Sequence, residues 1–310
     1  MNPEPQISSR LEKIPIVRNL VHVLQRIKLP WLNGFTLYDL LELYITGIGE
    51  GALPYRCSAI AFSFFMALFP FLLFILNLIP YIPISGFQED FLKFVEEGVP
   101  PNTYDAIAAI INDIMHNSYQ GLLSSGFLLS IFLQANGLNA VLVGFQKSQH
   151  IEAKRTFLRQ YLVALGMSLL LTCVLILTVA IIVIFEVFIQ SRDIPEFISD
   201  NIPLIVIGRY IFVVLMILIG ISILFKFGTK RTSKRAFISV GSVFTTALVI
   251  VSSYFFGIWV VEFSKYNELY GSIGTLLIVM FYIWINCMIL LLGFELNVTI
   301  NRLKKKNKLN

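Results

Sequence analysis

Chemistry inside a lipid bilayer requires a nucleophile beside a base, or a set of metal ligands, and the apolar stretches of this chain contain neither. The three histidines, His22, His116 and His150, lie outside those stretches, and so do the six aspartates. No H-E-x-x-H pair is present to hold zinc. Cys57, Cys173 and Cys287 fall in separate apolar runs without a C-x-x-C spacing, which reads as buried thiols, not as a disulfide framework or zinc site. Gly47-Ile48-Gly49-Glu50-Gly51 lacks the order of a phosphate loop and reads as a helix terminator. The expectation is a non-enzyme, with no catalytic, cofactor-binding or metal-binding residue and no cofactor.

The informative residues are the polar ones inside the apolar runs, because each is costly in lipid unless satisfied. In the second run, Asn136, Ala140 and Gly144 share a face at i, i+4 and i+8, with Asn139 adjacent and Gln134 one turn away. Close helix packing with interhelical hydrogen bonds meets this pattern, and so does a polar translocation path. Asn286 and Trp284 of the sixth run fall near mid-depth and are candidates for the same interior. Two ion pairs are suggested by depth: Arg56 with Glu295 at one end of the runs, and Glu186 with Arg209 at the other. Pro70 removes a backbone donor within the first run and predicts a kink near Met66.

These residues must be held by the runs themselves, which span roughly 57–79, 121–146, 160–185, 210–225, 236–261 and 269–294, the fourth extending N-terminally past Arg209. At 1.5 Å per residue, about 20 residues cross a hydrocarbon core of about 30 Å. The whole chain of 310 residues is 56% hydrophobic and only 14% charged, with mean hydropathy +0.77, which excludes an ordinary soluble globule. The runs are continuously apolar, without the alternation of a membrane barrel. The predicted fold class is all-α: a polytopic membrane helical bundle of six transmembrane helices with short interfacial helices.

Of the 24 Lys and Arg, only Lys93, Arg192 and Lys265 lie in the segments 80–120, 190–203 and 263–268, and Arg209 lies inside the fourth run. The remainder occupy the first 56 residues, 147–159, 226–235 and the C-terminal tail. The two sets alternate with the runs, so the positive-inside bias predicts a multi-pass plasma-membrane protein with both termini cytoplasmic. The first run is expected to serve as insertion signal, as no cleavable leader is apparent. The expected organisation is a cytoplasmic segment 1–55, a membrane domain 56–300 and a basic tail 301–310. Within 1–55, Thr36 and Asp39 form a capping-box pattern ahead of Leu37, Leu40, Leu41, Tyr44, Ile45 and Ile48, predicting an amphipathic helix on the membrane face. Segment 80–120 carries two amphipathic patterns and predicts an external helical loop. The tail cations, Arg302, Lys304, Lys305, Lys306 and Lys308, read as a topology anchor that attracts anionic lipid, with no nucleic-acid partner.

Several of these residues lie in strings that resemble one family. Ser58-Ala59-Ile60-Ala61-Phe62 leads to Leu68-Phe69-Pro70, and Gly137-Leu138-Asn139 precedes a basic loop. Tyr266-Asn267-Glu268-Leu269-Tyr270-Gly271-Ser272-Ile273-Gly274 and then Leu291-Leu292-Gly293-Phe294-Glu295-Leu296-Asn297 form the most specific block. Over roughly residues 36 to 303 the chain resembles the YihY/BrkB bacterial inner-membrane proteins. It departs from their pattern at Phe225-Lys226-Phe227-Gly228-Thr229-Lys230, where the family often has a proline after an aromatic. The resemblance implies a six-span plasma-membrane protein and carries over Arg56, Pro70, Asn139, Tyr266, Tyr270, Gly271, Gly274, Glu295 and Asn297 as family-motif positions. Some relatives are linked to serum resistance or export of lipid A precursors, and some carry an old ribonuclease label. The expected function is movement or flipping of an envelope lipid or another amphipathic anion. The alternative is a non-transporting scaffold for envelope assembly, with envelope-assembly proteins as partners.

Overall fold

The computed structural model describes residues 21–22, 24–26, 36–50, 52–78, 120–147, 156–190, 202–228, 236–263 and 267–306. Among these, seven helices carry the architecture: α1 (Leu37–Glu50), α2 (Leu53–Leu78), α3 (Gln120–Gln146), α4 (Phe157–Gln190), α5 (Ile202–Phe227), α6 (Val240–Phe263) and α7 (Asn267–Lys306). No strand occurs among the described residues. The helices α2 to α7 are the six long and apolar enough to cross a membrane, so the chain is an all-α polytopic bundle. The predicted external helices of 80–120 lie outside the described residues.

Each span packs on the next in chain order, and α7 returns to α2, which closes the six into a ring. The strongest pairing is α2 with α3, where small residues permit close approach. A Cβ on Gly144 would lie 3.1 Å from the Ile60 side chain, and one on Gly137 would touch Phe64. The α6–α7 crossing is tighter still: Gly241 faces the Gly293 carbonyl and the Asn297 side chain, while Gly293 faces the Thr245 hydroxyl. A side chain at either glycine would push the two helices apart.

The buried core lies at one end of the ring. Cys57, Ile60 and Ala61 of α2 meet Leu138, Val141, Leu142 and Phe145 of α3, Ala164 and Met167 of α4, Ile221 and Phe225 of α5, and Leu291, Phe294 and Val298 of α7. This end also bears Arg56, Lys147, Arg159, Lys226, Arg302 and Lys304; it is called the basic end below. Toward the opposite end, large apolar side chains such as Leu72, Leu128, Leu177, Ile207, Ile258 and Leu277 are exposed.

The helix ends add detail to the sequence expectation. α7 runs unbroken to Lys306, so the division at 300 falls inside a helix, from which Arg302 and Lys304 are exposed. α1 continues through Gly47 and Gly49 and ends at Glu50, within the glycine string. The turn into α2 is made at Ala52, whose φ is 46°. α2 passes through Pro70 to Leu78. The capping box opens α1 as patterned: the Thr36 backbone N–H donates to Asp39 Oδ2 at 2.7 Å, and the Asp39 N–H donates to Thr36 Oγ1 at 3.2 Å. The apolar face of α1 packs on α7, with Leu40 buried beside Ile300 and Leu303.

Candidate functional site

The site is built from the interior of the ring and the seal at its basic end. Three phenyl rings form the seal, one from each of α3, α5 and α7. Phe145 stacks on Phe294 with centroids 3.8 Å apart. Phe225 meets both edge-on, at 5.8 Å and 5.7 Å. All three are buried. Such ring contacts each contribute about 1 kcal/mol beyond the area they bury. They join helices that are not sequence neighbours, so the stack holds the ring shut across its width.

Beside the stack lies a buried charge. Arg56, at the start of α2, donates from Nη2 to the Gly144 carbonyl at 2.5 Å. It lies within electrostatic reach of Glu295 on α7, which has no exposed surface. The structure thus brings Arg56 and Glu295 together. Helix α1 covers this pair. A Cβ at Gly47 would lie only 2.8 Å from Glu295 Oε1, which is the physical reason for a glycine within that helix. One turn earlier, the Tyr44 hydroxyl donates to the Leu292 carbonyl at 3.2 Å. Burial, and secondarily the Glu295 carboxylate, push that hydroxyl up to about 12.

On the interior side of the stack, a cavity of ≈270 Å³ opens between α2, α3 and α4. Phe64, Ala67, Leu68 and Phe71 line it from α2, Gln134 and Leu138 from α3, and Ser168, Leu171, Thr172 and Leu175 from α4. Gln134, Leu138 and Phe145 are spaced i, i+4 and i+11 and so share one helix face. The aromatic stack therefore lies about 10 Å below Leu138, two turns toward the basic end. The polar groups of the cavity are tied together: Gln134 Oε1 accepts from Thr172 Oγ1 at 2.9 Å and from Ser168 Oγ at 3.3 Å.

The other polar residues singled out from sequence are distributed differently. Asn139 does not line the cavity; its Oδ1 accepts from Gln160 Nε2 at 2.8 Å and bonds α3 to α4. Asn136 is half-buried and also absent from the cavity wall. Asn286 donates to the carbonyl of Tyr282 in its own helix at 2.9 Å. Trp284 donates to Ser58 Oγ at 3.2 Å. Asn297 links the last two spans: Oδ1 accepts from the Gly241 N–H at 2.8 Å and Nδ2 donates to Ser239 Oγ at 2.6 Å. It thereby satisfies an otherwise orphaned donor at the start of α6. Arg209 is exposed, 6.0 Å from the centroid of the Tyr210 ring, and the Glu186 side chain lies outside the described residues. Tyr266 and the Tyr270 side chain likewise lie outside them; Gly271 and Gly274 fall within α7.

Sequence reasoning missed the phenyl stack and the two α4 hydroxyls. A signal was available for the first, since Phe145 and Phe294 each follow a glycine and Phe225 precedes Gly228 by three residues. Ser168 and Thr172 have the i, i+4 spacing of one helix face, yet their partner on α3 depends on register between spans. Among the described residues, no three His, Cys, Asp or Glu side chains gather as a metal-binding group.

The comparisons with known proteins agree with this architecture. Over 276 residues the chain is 27% identical to the ribonuclease-like protein YfkH of Bacillus subtilis (strain 168), covering 87% of this chain and 96% of that one. No solved structure matches it. Residues 45–310 match the family described as Virulence factor BrkB. With six membrane-length helices and a family match across nearly the whole chain, this is an integral membrane protein belonging to the BrkB (YihY/BrkB) family.

Proposed function

We propose that this protein moves an amphipathic, lipid-like molecule across a bacterial plasma membrane and performs no hydrolysis. The reading rests on one observation, the ≈270 Å³ interior cavity above the phenyl stack. Its lining is apolar except for one amide and two hydroxyls, which suits a molecule with a hydrocarbon chain and a polar linkage. The stack and the buried Arg56–Glu295 pair close the basic side, as alternating access requires of one state. In this reading the basic end and both termini face the cytoplasm, and Lys147, Arg159, Lys226, Arg302 and Lys304 draw anionic headgroups to the inner leaflet. The chain carries no nucleotide-binding motif, so movement is passive or coupled to an ion.

A scaffold for envelope assembly is the second reading, favoured by the use of Gln134 and Asn139 in bonds between α3 and α4. Purified protein in liposomes separates the two. Transport is expected to accelerate the change in headgroup accessibility of labelled anionic lipids over that in empty vesicles. No acceleration across several anionic lipids would overturn it. A scaffold would instead yield one dominant crosslinked partner and tolerate substitution of the amides.

A further inference from the structure

We infer that Glu295 is a proton-binding latch on the basic end of the ring: its carboxylate holds the seal shut and its protonated form releases it. This rests on the carrier reading above and names what opens the closed side. Arg56 bridges the two residues that flank the stacked phenyls. On α3, its Nη2 donates to the carbonyl of Gly144, the residue before Phe145. On α7, it lies within electrostatic reach of Glu295, the residue after Phe294. α3 and α7 share only a short contact of their own, so the guanidinium and the phenyl stack carry much of the link between them.

Of the three groups in this bridge only one changes charge. The Gly144 carbonyl does not titrate and an arginine stays protonated in proteins. A proton passing from hydronium to a carboxylate oxygen of Glu295 forms one O–H bond, releases water and leaves a neutral acid. Arg56 then keeps its bond to Gly144 but loses the facing charge, at a cost of the same kind as losing its partner by mutation. Parting the basic end relieves that cost by hydrating the guanidinium, so protons favour the open form and the ion pair favours the closed one. α1 lies over the carboxylate with no side chain between them, since a Cβ at Gly47 would stand 2.8 Å from Oε1. Ile45 and Gly49 of that helix are exposed, so lifting one surface helix admits water to Glu295. The other titratable groups around it are Tyr44 of α1, with Asp39 and Glu42 earlier on that helix, and the Cys57 thiol of α2 beside Arg56. Lys147 and Lys226 stand at the ends of α3 and α5, and Arg302 and Lys304 further along α7. α6 carries no titratable side chain from Val240 to Ser253.

The test attaches nitroxide labels through Lys147→Cys and Arg302→Cys, at the exposed ends of α3 and α7, in the full-length chain with Cys57, Cys173 and Cys287 changed to alanine. Label-to-label distances are measured by electron spin resonance in liposomes from about pH 8 to about pH 5, a range that reaches perturbed carboxylates. The population at longer distance is expected to grow by up to about tenfold per pH unit while Glu295 is mostly ionised. Glu295→Gln should hold the longer distance at every pH. Glu295→Asp, which draws the carboxylate back from Arg56, should keep the response with a shifted midpoint. Distances that ignore pH, or an unaltered response in Glu295→Gln, would overturn the proposal. Should the glutamine variant fail to fold, an unshifted midpoint in Glu295→Asp would overturn it as well. If the labels respond through Glu295 while the liposomes show no lipid movement at any pH, the transport reading falls and the latch stands. Lipid movement that is equal at both ends of the pH range, with unchanging distances, overturns the latch and leaves transport standing.

Discussion

At the residue scale, the buried Arg56 and Glu295 carry the sharpest energetic consequence. Arg56 is 6% exposed and Glu295 0%, so each charge depends on the other and on fixed dipoles such as the Gly144 carbonyl. Removing one partner leaves a charge stranded in low dielectric and costs about 3–5 kcal/mol. Replacing both by apolar side chains removes the desolvation cost along with the attraction. Glu295→Leu and Arg56→Met are each expected to lower the thermal midpoint of the purified protein well below that of the double variant. Detergent-solution melting curves of the four proteins check this; additive losses would contradict it. The pair could be suggested from sequence because only one acid and one base stand at matching depth in the first and last runs. The phenyl stack left only its flanking glycines as a signal, since apolar residues carry no complementary charge by which to find each other. Within the glycine string that ends α1, Gly47 has a second use that sequence does not show, the close approach of the Glu295 carboxylate.

At the element scale, α1 acts as a cover tied to α7 by Leu40, Ile300 and Leu303 and by the Tyr44 hydroxyl. Its amphipathic pattern was legible, but amphipathicity alone does not say whether the apolar face meets lipid or another helix. The continuation of α7 through a polar, basic stretch supplies that second surface. The Tyr44 proton gives this docking a pH signature. Burial first, and Glu295 second, raise it from 10.0 to about 12. The folded state holds the proton more tightly than the unfolded chain. Docking support is therefore complete below pH 10 and is lost as pH rises toward 12. Stability of the wild type is expected to fall over that alkaline window more steeply than that of Tyr44→Phe, measured by melting curves in matched buffers. Parallel curves would show that the hydroxyl plays no such role. The six spans were readable because a bilayer demands long apolar helices. Their neighbour relations were not, because apolar faces toward lipid and toward other helices look alike in sequence. The amides illustrate this: Gln134 and Asn139 lie in one apolar run and both bond to α4, yet Gln134 lines the cavity and Asn139 does not.

At the scale of the whole molecule, the ring is tightly packed at its basic end and lined by a cavity above it. That asymmetry is the basis for reading the protein as a carrier held shut on one side. Opening that side requires Phe145 and Phe294 to part, because their stack spans the ring from α3 to α7. The most direct test replaces both by cysteine in a chain whose Cys57, Cys173 and Cys287 have been changed to alanine. In liposomes, the reduced double variant is expected to move labelled anionic lipid faster than empty vesicles, to stop when a disulfide forms, and to resume on reduction. Equal lipid movement in the oxidised and reduced states would contradict the claim that the pathway passes through this seal.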